Sequence, residues 1–145
     1  MRGHLRLGPQ RVLIDTSAYF ALVVPQDARH LAAATLLERL EQQPTHLFTT
    51  NFIVAETHAL LLARRGRVVA SRVLHQLDQS SATIVRVSLR DERQARQIIE
   101  RYDDKDFSLT DATSFAVMER LRIDVAFTFD RNFAQYGFQV LDSAG

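Results

Sequence analysis

The sequence predicts an α/β fold, a three-layer α/β/α sandwich built around a central parallel sheet. Short runs of β-branched and aromatic residues alternate along the chain with longer segments in which apolar residues recur at helical spacing. The 145 residues suffice for one domain, and they contain no internal repeat or low-complexity tract. We expect residues 1–10 to be a flexible leader and residues 11–145 to be a single domain.

The predicted strands are short apolar runs flanked by turn or helix-start residues. The first, Val12-Leu13-Ile14, ends at Asp15, and Thr16 and Ser17 after it favour the start of a helix. The predicted strands cover residues 12–14, 47–50, 83–87, 125–129 and 138–141.

The predicted helices of the first half are bounded by proline and glycine. A helix over residues 18–23 stops near Pro25, because the residue before proline avoids the helical region. Asp27 is placed to cap the next helix, whose apolar residues recur over 33–40. A helix over 51–63 ends at Arg64-Arg65-Gly66, and further helices cover residues 70–77, 95–102 and 111–121.

Two of these helices begin with a capping-box pattern, a serine followed three residues later by an aspartate. Ser88 and Asp91 form one pair, and Ser108 and Asp111 the other. In such a box both side chains satisfy free backbone N–H groups of the first turn. Capping alone would therefore explain Asp111, and a functional role depends on what else lies near it.

Composition excludes several classes of protein. There is no cysteine, so disulfides and thiolate chemistry are excluded, and the formal charge of +1 excludes a strong basic field. The first ten residues lack the apolar core of a signal peptide, and no apolar run reaches membrane-spanning length. We expect a cytoplasmic protein with no membrane contact.

Four acidic residues are predicted to approach the carboxyl edge of the sheet, where open α/β folds bind ligands. Asp15 directly follows the first strand, and Asp130 directly follows the fourth. Asp111 reaches this edge only if the segment before its helix does. Glu56 lies near the start of the helix after the second strand, on a predicted apolar face, so its charge needs an arginine or a cation as compensation.

Converging carboxylates repel one another, at a cost of about 4 kcal/mol for two charges 4 Å apart at an effective dielectric near 20. Bound protons or a divalent metal would relieve this repulsion. A donor set without cysteine or paired histidines suits Mg²⁺ or Mn²⁺ rather than zinc. Such an ion supports phosphodiester hydrolysis.

Each acid also has a structural interpretation. Asp15 and Asp111 could be helix caps, Asp130 part of a turn and Glu56 half of an ion pair. Asp106 belongs to a charge run typical of a solvated loop, although it could reach the site as an outer ligand. Arg64, Arg65, Arg67 and Arg131 are candidate RNA-binding residues, against the alternative of surface arginines. The aromatic residues Phe127, Phe129, Phe133 and Phe138 fit the core better than a base-stacking platform.

The ordered set of motifs resembles the PIN-domain family, and especially its VapC-like toxin ribonucleases. The matching stretches are VLIDTSAYFAL, TTNFIVAETHALL, DFSLTDATSFAVME and AFTFDRNFAQYGF, which together span nearly the whole chain beyond residue 10.

The resemblance implies RNA cleavage dependent on Mg²⁺ or Mn²⁺, a frequent homodimer and inhibition by a small antitoxin protein. It places the family's acidic set on Asp15, Glu56, Asp111 and Asp130. It also raises Asp106 as a further acid and implies ligand-orienting roles for small polar residues, which are Thr16, Ser17, Asn51 and Thr128.

The leading hypothesis from the sequence is therefore a metal-dependent endoribonuclease, the toxin of a toxin–antitoxin pair. Two alternatives remain open at this stage. One is a non-catalytic RNA-binding or assembly module on the same fold. The other is a small phosphatase or phosphoacceptor domain built on Asp15, which the DTS sequence after the first strand and the presence of a single lysine, Lys105, both disfavour.

Overall fold

A computed structural model describes residues 8–141, and the architecture is the predicted α/β sandwich. Five parallel strands form one sheet in the order β3-β2-β1-β4-β5. The strands are β1 (Gln10–Ile14), β2 (Thr45–Thr50), β3 (Thr83–Val85), β4 (Val125–Phe127) and β5 (Gln139–Val140). The helices are α1 (Thr16–Val23), α2 (His30–Glu41), α3 (Asn51–Gln79), α4 (Leu89–Arg101), α5 (Leu109–Leu121) and α6 (Asn132–Tyr136).

The strand order reverses beside β1, and this reversal divides the helices between the two faces of the sheet. The chain runs outward from β1 to β3, then crosses back to β4 and β5. Because parallel crossovers are right-handed, α1–α3 cover one face and α4–α6 the other. Most helix contacts agree, since α1 packs on α2 and α3, whereas α5 packs on α4 and α6. Helices α3 and α5 also make contact with each other. The β1/β4 boundary is the switch point at which such folds bind ligands.

The core lies on both sides of β1 and β4. Val12, Leu13 and Val125 are fully buried, as parallel strands covered on both faces require. Helix α5 is buried along most of its length, with Phe115 packed edge-on against Phe133 of α6 at a centroid distance of 5.0 Å. Such packing fixes the first turn of α5, which carries Asp111, relative to the sheet.

All five predicted strands are confirmed, although β3, β4 and β5 are shorter than predicted. The predicted helix break at Gly66 is confirmed as well, because this residue has φ 87° inside α3, a conformation that glycine adopts without steric cost. Helix α6 was not predicted. The assignment of Asp27 as the cap of α2 is wrong, because Arg29 is the N-cap and Asp27 Oδ1 instead accepts from Arg29 N at 2.8 Å.

Most of the predicted leader, residues 1–7, lies outside the described residues. Gln10 pairs with Thr45 as the first residue of β1, so the sheet begins within the predicted leader. No helix between residues 8 and 141 is long and apolar enough to cross a membrane.

Candidate metal and active site

Asp15 lies at the carboxyl end of β1 and is the buried centre of the candidate site. Its backbone N–H donates to Phe127 O at 3.1 Å, which ties the end of β1 to the end of β4. Its carboxylate Oδ2 accepts from Thr128 Oγ1 at 2.8 Å and from Ser17 Oγ at 3.1 Å. The side chain is therefore held by one hydroxyl from each side of the switch point.

Burial makes the charged form of Asp15 unfavourable. The residue is 4% exposed, and this desolvation raises the pKa of Asp15 to about 6, against the lowering effect of its hydroxyl partners. The negative charge of Asp111 raises the pKa further. A group in this state gains from a nearby cation, which favours its ionised form.

Asp111 is both a helix cap and a member of the site. Its N–H donates to Ser108 Oγ at 3.0 Å, and its Oδ2 accepts from Ser108 N at 3.1 Å, which completes the predicted capping box. The same oxygen also accepts from Asn132 Nδ2 at 2.9 Å. Burial raises the pKa of Asp111, and the charge of Asp130 raises it further. The two interpretations of Asp111 are therefore compatible.

Asp130 reaches the site through a turn rather than directly from a strand. The prediction that it immediately follows β4 is wrong, because β4 ends at Phe127. The turn is closed by two hydrogen bonds, from Asp130 N to Thr128 Oγ1 and from Asn132 N to Asp130 Oδ1, both at 2.9 Å. Asn132 thus connects Asp130 to Asp111, whereas the sequence indicated only a turn at Asp130.

Glu56 joins the site from α3 in a more exposed position than predicted. Its Oε1 accepts from Thr16 Oγ1 at 2.7 Å, so the carboxylate is linked to the residue next to Asp15. The prediction that it lies on a buried apolar face is wrong. The buried face of this part of α3 consists of Ile53, Thr57 and Leu61, and Glu56 is exposed. Among the described residues Glu56 forms no ion pair.

Asp91 shows what a purely structural version of the same capping box looks like. It has the predicted capping box with Ser88, but it is buried and receives two hydrogen bonds from Arg120, at 2.9 and 2.8 Å. Although burial opposes ionisation, the hydrogen bonds from Arg120 and Ser88 lower the pKa of Asp91. Arg120 neutralises this carboxylate, whereas no arginine in the described part of the chain donates to Asp111.

Some predicted accessory residues lie in the network and others do not. Ser17 is central, since it also accepts from Phe129 N at 2.9 Å. Asn51 lies outside, because its Oδ1 accepts from Val87 N at 2.9 Å and anchors the start of α3 instead. Asp106 is exposed and makes no hydrogen bond with the acidic residues. The candidate RNA-binding arginines Arg64, Arg65, Arg67 and Arg131 are all exposed, and the first two lie over the Phe20 ring, at 5.8 and 5.9 Å from its centroid.

The donor chemistry of the site fits a hard dication, but the carboxylates are not tightly clustered. Within residues 8–141 no three acidic or histidine side chains are arranged to hold a metal ion. Asn132 bridges the carboxylates of Asp111 and Asp130, whereas Thr128 and Thr16 donate to Asp15 and Glu56 separately. Mg²⁺ commonly binds one or two carboxylates directly and keeps several waters, so it does not require three clustered acidic side chains.

Comparisons with known proteins agree with this geometry. A family model described as PIN domain matches residues 12–139. Over 127 residues the chain is 34% identical to a Mycobacterium tuberculosis protein named 23S rRNA-specific endonuclease VapC20, covering 88% of this chain and 95% of that protein. It is 26% identical over 120 residues to Ribonuclease VapC26 of the same organism, covering 83% and 87% of the two chains.

Solved structures give the same result. The crystal structure of M. tuberculosis VapC20, described as a Sarcin-Ricin loop cleaving toxin, superposes with a TM-score of 0.81 at 33% identity and covers 88% of this chain and 95% of that one. FitAcB from Neisseria gonorrhoeae shares the fold, with a TM-score of 0.63 at 16% identity over 92% and 98% of the two chains. The family model, the sequence identity and the fold lead to one conclusion: the chain belongs to the PIN-domain family.

Proposed function

We propose that this chain is a metal-dependent endoribonuclease that hydrolyses RNA phosphodiester bonds, and that it is the toxin of a toxin–antitoxin pair. The observation that carries the proposal is the hydrogen-bonded set of four acids around the β1/β4 switch point. Asp15 and Asp111 are both buried there, and no basic side chain within residues 8–141 pairs with either of them. Buried carboxylates without a counter-charge destabilise a fold, and a bound cation would offset this cost.

Mg²⁺ or Mn²⁺ is the ligand that we propose, with Asp15, Glu56, Asp111 and Asp130 as its holders, directly or through water. A bound dication supplies Lewis-acid chemistry, which activates water and neutralises charge that develops on the phosphate. Thr128 and Ser17 keep the Asp15 carboxylate in one orientation, Thr16 positions Glu56, and Asn132 positions Asp111. Asp106 and Asn51 are at most peripheral in this scheme.

RNA is the proposed substrate because the curated relatives are named ribonucleases, one of them specific for 23S rRNA. Arg64, Arg65, Arg67 and Arg131 are exposed and available for phosphate contacts. A VapC-type role implies a small antitoxin partner, a homodimer and a cytoplasmic location. These three points belong to the proposal.

Cleavage of an RNA panel by the purified protein tests this function. The panel contains single-stranded oligonucleotides and a stem-loop with the sequence of the sarcin–ricin loop, incubated with Mg²⁺, Mn²⁺ or EDTA. We expect cleavage only with metal and a loss of more than about a hundredfold in Asp15→Asn and Asp111→Asn. Groups that merely orient metal ligands already contribute about 10- to 100-fold. Asp104→Asn, an exposed acid paired with Lys105, is the matched control and should keep full activity.

Activity that survives EDTA, or that survives in both Asp15→Asn and Asp111→Asn, rejects the proposal. RNA binding without cleavage in any metal would instead favour the non-catalytic module. Transfer of a phosphoryl group to Asp15, detected by borohydride trapping, would revive the phosphoacceptor alternative.

A further inference from the structure

A cavity of about 380 Å³ opens beside the acidic site, on the side of β4 and β5. Its wall shares Thr128 and Asp130 with the hydrogen-bonded network of the site. The remaining lining combines the aromatic side chain of Phe129, the guanidinium-bearing Arg131 and the small Ala134, together with apolar residues at the end of β5. The cavity therefore borders the acidic site directly.

Of the four aromatic residues that the sequence assigned to the core, Phe129 and Phe138 are only partly buried, and Phe129 lines this cavity. Phe127 and Phe133 are completely buried, as predicted. The guanidinium of Arg29 lies 5.4 Å from the centroid of the Phe129 ring. This cation–π contact holds the ring in place, so part of its surface is pre-organised for a ligand.

The lining has the chemistry that recognises a nucleobase. A base has apolar faces, which stack on aromatic rings, and a polar edge, which hydrogen-bonds with side chains such as arginine. Arg131 can only donate, so it favours a base edge that presents acceptor atoms. The volume lies within the range of about 300–1,000 Å³ that is typical of small-ligand sites.

We propose that this cavity receives one unpaired nucleobase next to the scissile phosphate, and that it thereby selects which base stands beside the cut. The identity of the ligand as RNA rests on the proposed function. Phe129 supplies the stacking surface, Arg131 supplies donors to the base edge, and Ala134 leaves the space that the base fills. Asp130 links this space to the acidic site, so an occupied cavity fixes the position of the adjacent phosphate.

Filling the cavity is the sharpest test, because it leaves the acidic residues intact. Ala134→Phe places a large side chain in the opening, and Gln135→Phe adds the same side chain at the neighbouring exposed position, which does not line the cavity. Each variant is given a random-sequence RNA pool, and the cut sites are read by sequencing the fragment ends. We expect the wild-type protein and Gln135→Phe to show the same base preference at one position beside the cut.

Ala134→Phe should lose that preference and cleave the preferred RNA about tenfold more slowly or worse, within the range that base–aromatic stacking gives. An abasic nucleotide at the selected position should slow the wild-type protein similarly. An unchanged preference and rate in Ala134→Phe would overturn the inference while leaving the nuclease proposal intact.

A binding measurement decides the same question without cleavage. Ten-nucleotide single-stranded RNAs carry 2-aminopurine at one scanned position, and their fluorescence is recorded on mixing with protein in Ca²⁺. Stacking in the cavity predicts quenching by the wild-type protein and Gln135→Phe but not by Ala134→Phe. Equal quenching by all three proteins, or by none of them, would refute the base site whether or not the wild-type protein cleaves RNA. A wild-type protein that cleaves no RNA would by itself refute only the proposed function.

Discussion

Replacing Asp15 by asparagine removes a charge that the fold accommodates poorly when no metal is present. The rise in the pKa of Asp15 from 3.8 to about 6 corresponds to about 3 kcal/mol of unfavourable ionisation. Asparagine has the same shape and can still accept from Thr128 and Ser17, but its amide N–H₂ needs new partners, which offsets part of the gain. We therefore expect Asp15→Asn to raise the free energy of unfolding by about 1–3 kcal/mol at pH 7.5 in EDTA.

The stability difference between Asp15→Asn and the wild-type protein should depend on pH. Because the folded-state pKa of Asp15 is raised, its destabilising contribution is complete above pH 6 and disappears as the pH falls below 3.8. The advantage of Asp15→Asn over the wild-type protein should therefore shrink between pH 7.5 and pH 4.

Urea unfolding with and without Mg²⁺ measures both effects. Saturating Mg²⁺ should stabilise the wild-type protein, because a ligand that binds only the folded state adds to its stability. The wild-type protein should then be more stable than Asp15→Asn. Asp104→Asn should follow the wild-type protein throughout. An Asp15→Asn protein that is less stable than the wild type in EDTA at every pH would refute the electrostatic reasoning.

Three further predictions concern one site residue and two residues outside the site. Thr16→Val removes the hydrogen bond to Glu56 with little change in shape. It should weaken Mn²⁺ binding by about 10- to 100-fold in a titration and leave the melting temperature nearly unchanged. An unaltered Mn²⁺ affinity would mean that Glu56 does not take part in metal binding. Asp91→Asn breaks the pair with the partly exposed Arg120 and should lower the free energy of unfolding by about 2 kcal/mol, without changing RNA cleavage per folded molecule. This loss of stability should become smaller in acid, because the lowered pKa of Asp91 confines its stabilising contribution to higher pH. Gly66→Ala forces a side chain into positive φ and should cost about 1 kcal/mol or more in denaturant unfolding; equal stability would mean that the helix break relaxes freely.

The parts of the fold that were predictable are those in which local sequence and tertiary structure demand the same residues. The spacing of Ser108 and Asp111 predicts a helix start by itself, and the folded structure has the helix start at this position. The alternation of strands and helices likewise implies a parallel sheet, and hence a common edge for Asp15 and the turn after β4. Helix α6 escaped prediction because its five residues are too few to display helical periodicity.

The details of the candidate site were less predictable, because they depend on angles that spacing does not fix. Glu56 was assigned to the buried face from its apolar neighbours. The buried stripe consists of Ile53, Thr57 and Leu61. Glu56 precedes Thr57 by one residue, and this single helix position turns its side chain away from the buried stripe. Asn132 was missed because its contact with Asp111 joins residues 21 positions apart across two helices. Only the folded chain reveals such a bridge.

Anomalous diffraction from crystals grown with Mn²⁺ locates a bound ion at these acids without reference to activity. We expect one or two anomalous peaks within coordination distance of Asp15 or Asp111, about 2–2.5 Å directly or one water further away. The same peaks should be absent from Asp15→Asn crystals. Manganese bound elsewhere, or no peak at this edge at millimolar Mn²⁺, would contradict the claim that these acids form a metal site.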